Sequence, residues 1–434
     1  MSGQVRLRPD QLASVEYILR RVRSLLLSEP GTGKTAVELN VAARVIDDDD
    51  GPALFVVPAT LVEQTVEQAS LWTPHLGEPQ VHKVPTPEHP LSITSHQKLE
   101  GLLPHIKQVG LGLLVVDEAH AMATTWPKPT QLNKAVRAAS RVSERVLFAT
   151  GTPVDCVAAL DLMGLLLAAG LMPMRQWDQL LTEVRFNRFD PAKPIPTGIS
   201  QRGIEALGAM LSHSAVCTKL SDLGVALPEL QTKTMRVGLS PAQLRAQELA
   251  RRRYSGVTLS RRLADIGRDS DRLSVRAFLW KYRHGESHTH SLVLTERLDL
   301  VSALEGAFLA GSEPTYVLTG NTSQRDRLRI LARHRADGGV LIASAVGGTG
   351  FNFQYCSLLI EVGTTWEFEK ARQRRGRILR PGSPHKEITH LRIVSGSADE
   401  VHRAERRDQK SRLARQLMDY VPSPTHALTV LDPY

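Results

Sequence analysis

The sequence is short of cysteine, of long apolar runs and of repetition, and each shortage narrows what the chain can be. Three cysteines stand among 434 residues, Cys156, Cys217 and Cys356, far apart and without paired spacing. A disulfide framework or a structural zinc site needs such pairs, so a reducing compartment fits best. The opening residues, MSGQVRLRPDQ, lack the apolar core of a secretory leader, and the longest apolar stretch, 158–174, is interrupted by Asp161 and too short for a bilayer. The expectation is a cytoplasmic protein of a bacterial, archaeal or virus-infected cell, with no membrane partner. No short-period repeat or long low-complexity tract occurs. With 42% hydrophobic and 23% charged residues the composition is that of a folded globular chain, and the length suggests two or three domains.

Positive charge is unevenly placed. The chain carries 54 Lys and Arg against 45 Asp and Glu, for a net charge of +9. Residues 245–283 hold eleven basic and four acidic side chains, so most of the excess is local. Such a patch suits a polyanion, and a solvated helical surface is the competing reading.

Apolar, strand-like runs alternate with helical patterns, as in a parallel α/β sheet. In the first half they are 24–28, 53–57, 111–116 and 145–149; in the second, 291–294, 315–318, 339–343 and 358–362. Between the halves, from about residue 154 to 283, helical periodicity, a proline-containing segment and the basic patch replace the strand rhythm. The economical parse is an α/β first lobe at 1–155, a basic helical insertion and linker at 156–285, a second α/β lobe at 286–398, and a helical tail at 399–434. The Asp47–Asp50 run before Gly51-Pro52 reads as an exposed turn, and His284, His288 and His290 as a polar loop before a strand.

The segment SLLLSEPGTGKT, 24–35, sets a short strand before a glycine-containing loop and a helix-forming run. There Gly31 and Gly33 turn backbone amides, with that of Thr32 between them, toward phosphates. Lys34 reaches the β and γ oxygens, and the Thr35 hydroxyl ligates Mg²⁺. Ser28 stands where the usual pattern opens with glycine. The run LGLLVVDEAH, 111–120, is a strand ending in two carboxylates. Asp117 is placed to hold Mg²⁺ through water, and Glu118 to orient and deprotonate an attacking water.

These residues, in this order, resemble superfamily-two nucleic-acid-dependent ATPases, and within them the Swi/Snf-like branch. Leu7-Arg8-Pro9-Asp10-Gln11 resembles the adenine-side motif, with Gln11 the base contact. Segments 56–61 and 93–96 resemble strand-contacting motifs that include Pro58 and Thr94. Residues 149–153, ATGTP, resemble motif III, with His120, Thr150 and Thr152 linking hydrolysis to movement. The branch resemblance rests on VDCVAALDLMGLLLAAGLMP, 154–173, and on ALPEL followed by LSP, 226–241. It extends through HSLVLTER, 290–297, YVLTG, 316–320, motif V at 344–352 and motif VI at 373–380. The phosphate loop, EPGTGKT, departs from the branch's commoner acidic-Met-Gly-Leu form.

The resemblance implies two RecA-like parallel-sheet lobes with an inserted helical region, and ATP and Mg²⁺ as cofactors. Arg377 and Arg380 of motif VI, three apart and so on one helical face, would neutralise charge during phosphoryl transfer. Because they belong to the second lobe, hydrolysis is expected to require lobe closure. Gly347, Gly348, Thr349 and Asn352 would meet a nucleic-acid phosphate, whereas Trp366 reads as packing. The leading expectation is an ATP-driven translocase on duplex DNA, with RNA left open and protein partners unspecified. A strand-separating or branch-migrating helicase in phage or prokaryotic replication or recombination is one alternative. A nucleotide-gated protein clamp or remodelling factor is the other.

Overall fold

A computed structural model describes residues 6–122, 129–154, 156, 158–172, 181–185, 195–224, 226–254, 262–263, 266, 289–295, 298–309, 314–344, 351–362, 375–380, 382–395 and 398–431. Two compact units divide the chain, residues 1–224 with 409–434 and residues 225–408.

In unit 1 the strands are β1 (Arg23–Leu26), β2 (Ala53–Val57), β3 (Gln80–Val81), β4 (Leu91–Ser95), β5 (Leu111–Val116), β6 (Ser143–Ala149), β7 (Leu181–Arg185), β8 (Ile195–Ile199) and β9 (Ala215–Val216). Seven of them form one sheet in the order β3-β4-β2-β5-β6-β1-β9, and every neighbouring pair is parallel. Strands β7 and β8 pair with each other, antiparallel. Parallel strands need crossovers, and helices at 34–47, 62–72, 99–109 and 131–140 supply them. The apolar runs lack polar alternation because both sheet faces are covered. Leu54, Val56, Leu114, Val116, Val146 and Phe148 pack on one face. Their chain neighbours Ala53, Phe55, Val57, Leu113, Val115 and Leu147 pack on the other.

Unit 2 repeats the architecture with β10 (Glu229–Val237), β11 (His290–Thr295), β12 (Thr315–Leu318), β13 (Gly339–Ser344), β14 (Leu358–Val362) and β15 (Glu387–Ser395). Its sheet runs β10-β15-β14-β11-β13-β12, again wholly parallel. Val293, Ile342, Ile360 and Ile393 share one face, and Leu292, Leu341, Leu359 and Ile388 the other. The Gln324–Asp337 helix is started by Ser323, whose hydroxyl accepts from the Asp326 amide at 3.2 Å.

The stretch 156–285 is not one helical insertion in the described residues. Strand β9 joins the edge of the first sheet, hydrogen-bonded beside β1. The Gln201–Ser214 helix sends Ile204, Leu207 and Leu211 into the first core. Strand β10, by contrast, belongs to unit 2. The reasons are local: β9 is two residues long, and β10, ELQTKTMRV, is a polar, largely exposed edge strand with no apolar run to announce it. The tail divides as well. Leu413, Leu417 and Val421 enter the first core. Tyr420 lies so close over Gly208 that a Cβ there would come within 2.6 Å of its ring. Among the described residues no helix is long and apolar enough to cross a membrane.

Candidate nucleotide site

The carboxyl ends of β1, β2, β4, β5 and β6 lie along one edge of the first sheet, and each is followed directly by a segment singled out in the sequence. Ligands of open parallel sheets gather at that edge. After β1, Gly31 and Gly33 adopt φ of +86° and +85°, a left-handed conformation that side chains disfavour. Gly33 caps the Lys34–Asp47 helix, and a Cβ on it would meet the Gln11 amide nitrogen at 2.5 Å. Lys34 Nζ donates to the carbonyls of Ser28 at 3.1 Å and Glu29 at 3.5 Å, so its ammonium sits inside the loop. Thr35 stands half-buried in the first turn of the helix. Thr32 Oγ1 donates to the Glu29 carbonyl at 2.7 Å, so its hydroxyl braces the loop.

Gln11 approaches from the Pro9–Leu19 helix. Its oxygen accepts from the Arg8 amide at 3.0 Å, and its amide nitrogen donates to the Gly33 carbonyl at 3.3 Å. Arg8 adds a clamp that sequence reasoning did not single out: its Nη2 donates to the Thr32 carbonyl at 2.6 Å while the same guanidinium grips Asp10 with two bonds of 3.0 Å. The Ser28 departure also has an explanation. Its hydroxyl accepts from the Thr218 amide at 3.0 Å, and Glu29 Oε2 accepts from the Leu220 amide at 2.8 Å. Both bonds tie the phosphate loop to the segment after β9, a use of side chains that glycine could not serve.

At the end of β5, Asp117 accepts from the Glu118 amide at 2.7 Å. Burial first, and then the Glu118 carboxylate, push Asp117 up to about 6. Glu118 takes φ of +49°. A non-glycine residue held there costs of order 1–3 kcal/mol, strain of the kind that clusters at functional sites. Glu118 Oε2 lies 3.2 Å from His120 Nδ1, and the same nitrogen lies 3.3 Å from Thr150 Oγ1. Thr150 Oγ1 in turn accepts from the Thr152 amide at 3.1 Å. His96, after β4, sets Nε2 3.1 Å from the Asp117 carbonyl, and burial lowers its pKa.

Not every residue singled out in the sequence lies at the edge. Thr94 is a correction: it is wholly buried inside β4, 3.3 Å from His82 Nδ1, and cannot touch a nucleic-acid strand. The expectation failed because a strand's internal threonine and its exposed end look alike in sequence. Pro58, at the exit of β2, is half-buried. In unit 2 Asn352 is exposed, while Gly347, Gly348, Thr349 and Trp366 lie outside the described residues. Arg377 donates to the Phe351 carbonyl at 3.2 Å and Arg380 Nε to the Gly376 carbonyl at 2.9 Å. The shared helical face needs a second correction, since the last helical bond runs from Leu379 to Arg375. Arg380 falls past it, before Pro381, as the steric bias of a pre-proline residue requires.

Residues 8–159 match the DEAD/DEAH box helicase model, and residues 275–382 match the helicase conserved C-terminal domain. The chain thus carries segments similar to both the N-terminal and the C-terminal domain of such helicases. These two domains make it an ATP-hydrolysing enzyme of superfamily two. Among solved structures this chain is similar to the Sulfolobus solfataricus SWI2/SNF2 ATPase core in complex with dsDNA. The two are 17% identical over 95% of this chain and 94% of that one, with a TM-score of 0.46. No curated protein matches the sequence.

Proposed function

We propose that this helicase-family ATPase is a motor of the Swi/Snf-like branch that converts ATP hydrolysis into movement on duplex DNA. The observation that carries the reading is the bonded line Glu118–His120–Thr150–Thr152, which joins the water-activating carboxylate to the motif III segment. A group that reports on hydrolysis is there held by the group placed to transmit it. The branch is supported by the ordered motifs of both halves, and the polyanion reading by the basic stretch 245–283.

In this reading Lys34 and the Gly31–Gly33 amides seat the β and γ phosphates, and Gln11 reads the base. A half-buried carboxylate fixed by an amide, together with a threonine hydroxyl on a helix's first turn, offers the hard oxygens that Mg²⁺ prefers. Asp117 and Thr35 would hold the ion, which supplies charge neutralisation on the phosphate oxygens. Glu118 takes a proton from water as its oxygen bonds to the γ-phosphorus. The bond to the β–γ bridging oxygen breaks, leaving ADP and phosphate. Arg377 and Arg380 are assigned to the negative charge of that step. Pro58 and Asn352, with Gly347, Gly348 and Thr349, are assigned to the strand.

The test is ATP turnover with no nucleic acid, duplex DNA, single-stranded DNA and RNA side by side, in the parent and in His120→Ala. Duplex DNA should stimulate the parent most, and the variant should hydrolyse with little stimulation. Stimulation by RNA alone, or none by any nucleic acid, would overturn the reading; the latter outcome would favour a protein clamp.

A further inference from the structure

A carboxylate that the assignments above leave unused lies inside the same site. Glu38 is on the Lys34–Asp47 helix, four residues after Lys34 and three after Thr35. That spacing makes Glu38 the next-turn neighbour of both Lys34 and Thr35 on the helix surface. Glu38 is 1% exposed, and its Oε1 meets no hydrogen-bond partner among the described residues. The groups within electrostatic reach of it are Asp117, Glu118 and Lys34. A buried, unpartnered carboxyl costs several kcal/mol unless something compensates it. Nothing in the packing requires an acid here: Val37 and Leu39, its neighbours, already supply apolar contact.

Charge shows what is missing. Glu38, Asp117 and Glu118 bring three carboxylates, while Lys34 is the single lysine among the groups acting on both Glu38 and Asp117. His120 faces Glu118. A divalent cation arriving with nucleotide redresses that imbalance, and inverts the local preference for protonated acids. Among the described residues no three His, Cys, Asp or Glu side chains converge closely enough to ligate one ion directly. Mg²⁺ keeps several of its waters when it binds beside phosphates, so an acid one shell out has a water to accept from. Resting on the nucleotide-site reading above, we propose that Glu38 is a second acidic member of the cation site beside Asp117, accepting a hydrogen bond from ion-bound water next to Thr35 and Asp117. It acts as a positioning residue, fixing the orientation of the ion's water shell.

The probe is Mn²⁺, whose paramagnetic resonance reports its binding to the ADP-loaded protein directly. Removing an outer-shell partner typically costs 10- to 100-fold in metal affinity. Glu38→Gln, nearly isosteric, should therefore weaken Mn²⁺ binding about 10-fold or more and leave ADP affinity in EDTA at the parent value. Glu38→Asp keeps the charge on a shorter arm and should fall between the two, which serves as the folded control if the glutamine variant is unstable. Unchanged Mn²⁺ affinity in either soluble variant would overturn the proposal. Equal loss of ADP affinity with and without the ion would overturn it too, making Glu38 a strut of the helix. Failure of the underlying reading looks different: Lys34→Ala would then bind ADP like the parent, whatever Glu38 does.

Discussion

At the scale of single residues, Glu118 shows how much the fold invests in one carboxylate. Its backbone is held at positive φ, its amide is spent on Asp117, and its side chain touches His120. Such a residue is positioned before substrate arrives, which is what a general base needs, since misplacement of the proton acceptor is costly. Replacing it with glutamine keeps size and polarity but removes the proton acceptor. Glu118→Gln should bind ATP as the parent does and turn it over at least about 100-fold more slowly, in line with general-base contributions. Parent-rate turnover in a steady-state assay would show that another group takes the proton. Gly31, Gly33, Lys34 and the Asp117–Glu118 pair were legible because their chemistry fixes residue type and spacing together. Arg8, His96 and Glu38 were not, since an arginine clamp or a buried acid acquires meaning only from what the fold packs against it.

At the scale of elements, the strand runs translated closely: 53–57, 111–116, 315–318 and 358–362 are β2, β5, β12 and β14 to the residue. Of these, β2, β5 and β14 are buried throughout, and their apolar continuity is a signal in itself, whereas β12 is a part-buried edge strand read from its short apolar run. Strands β9, β10 and the β7–β8 pair escaped because edge and short strands carry no such continuity. A further element-level property is pH sensitivity. His334, on the Gln324–Asp337 helix, is wholly buried, with Nδ1 3.0 Å from the Tyr355 hydroxyl and Nε2 3.2 Å from the Gly339 carbonyl. His290 from β11 and Tyr316 from β12 stand edge-on to its ring at 5.5 and 5.4 Å, Arg335 lies over Tyr355, and Tyr316 donates to Asp337. Burial lowers His334 from 6.5 to about 4, with the Gly339 bond opposing the shift. Since the unfolded chain binds the proton more readily, the stability from this histidine is complete above about pH 6.5 and is lost as pH falls toward 4. The shift corresponds to about 3 kcal/mol. Urea midpoints of the parent should drop over that window, and His334→Phe should show a lower but flatter profile. Parallel profiles would assign the acid sensitivity elsewhere.

At the scale of the whole molecule, the questions are what it holds and what it does to it. Arg251, Arg252 and Arg253 are exposed in the last turn of the Pro241–Arg253 helix, where positive charge also complements the helix dipole. Arg252 is drawn 2.7 Å from Glu248, but a pair this exposed is worth little and leaves the guanidinium available. Neutralising all three together should weaken duplex binding and flatten its dependence on salt, because each lost phosphate contact removes released counterions. An unchanged slope would return the turn to a merely solvated role. Movement and strand separation then part company on structural grounds. A motor needs phosphate contacts that change with the nucleotide cycle, and in the proposed reading the bonded Glu118–His120–Thr150 line would relay that cycle. Separating base pairs needs, in addition, a wedge that pays for unstacking. Both described parallel sheets are spent on their own cores, and the β7–β8 pair stands outside them. The purified protein should therefore displace the third strand of a DNA triplex with ATP while separating a simple partial duplex poorly. Efficient separation of the partial duplex without triplex displacement would make it a strand-separating helicase, and β7–β8 would be the first element to exchange in locating its wedge.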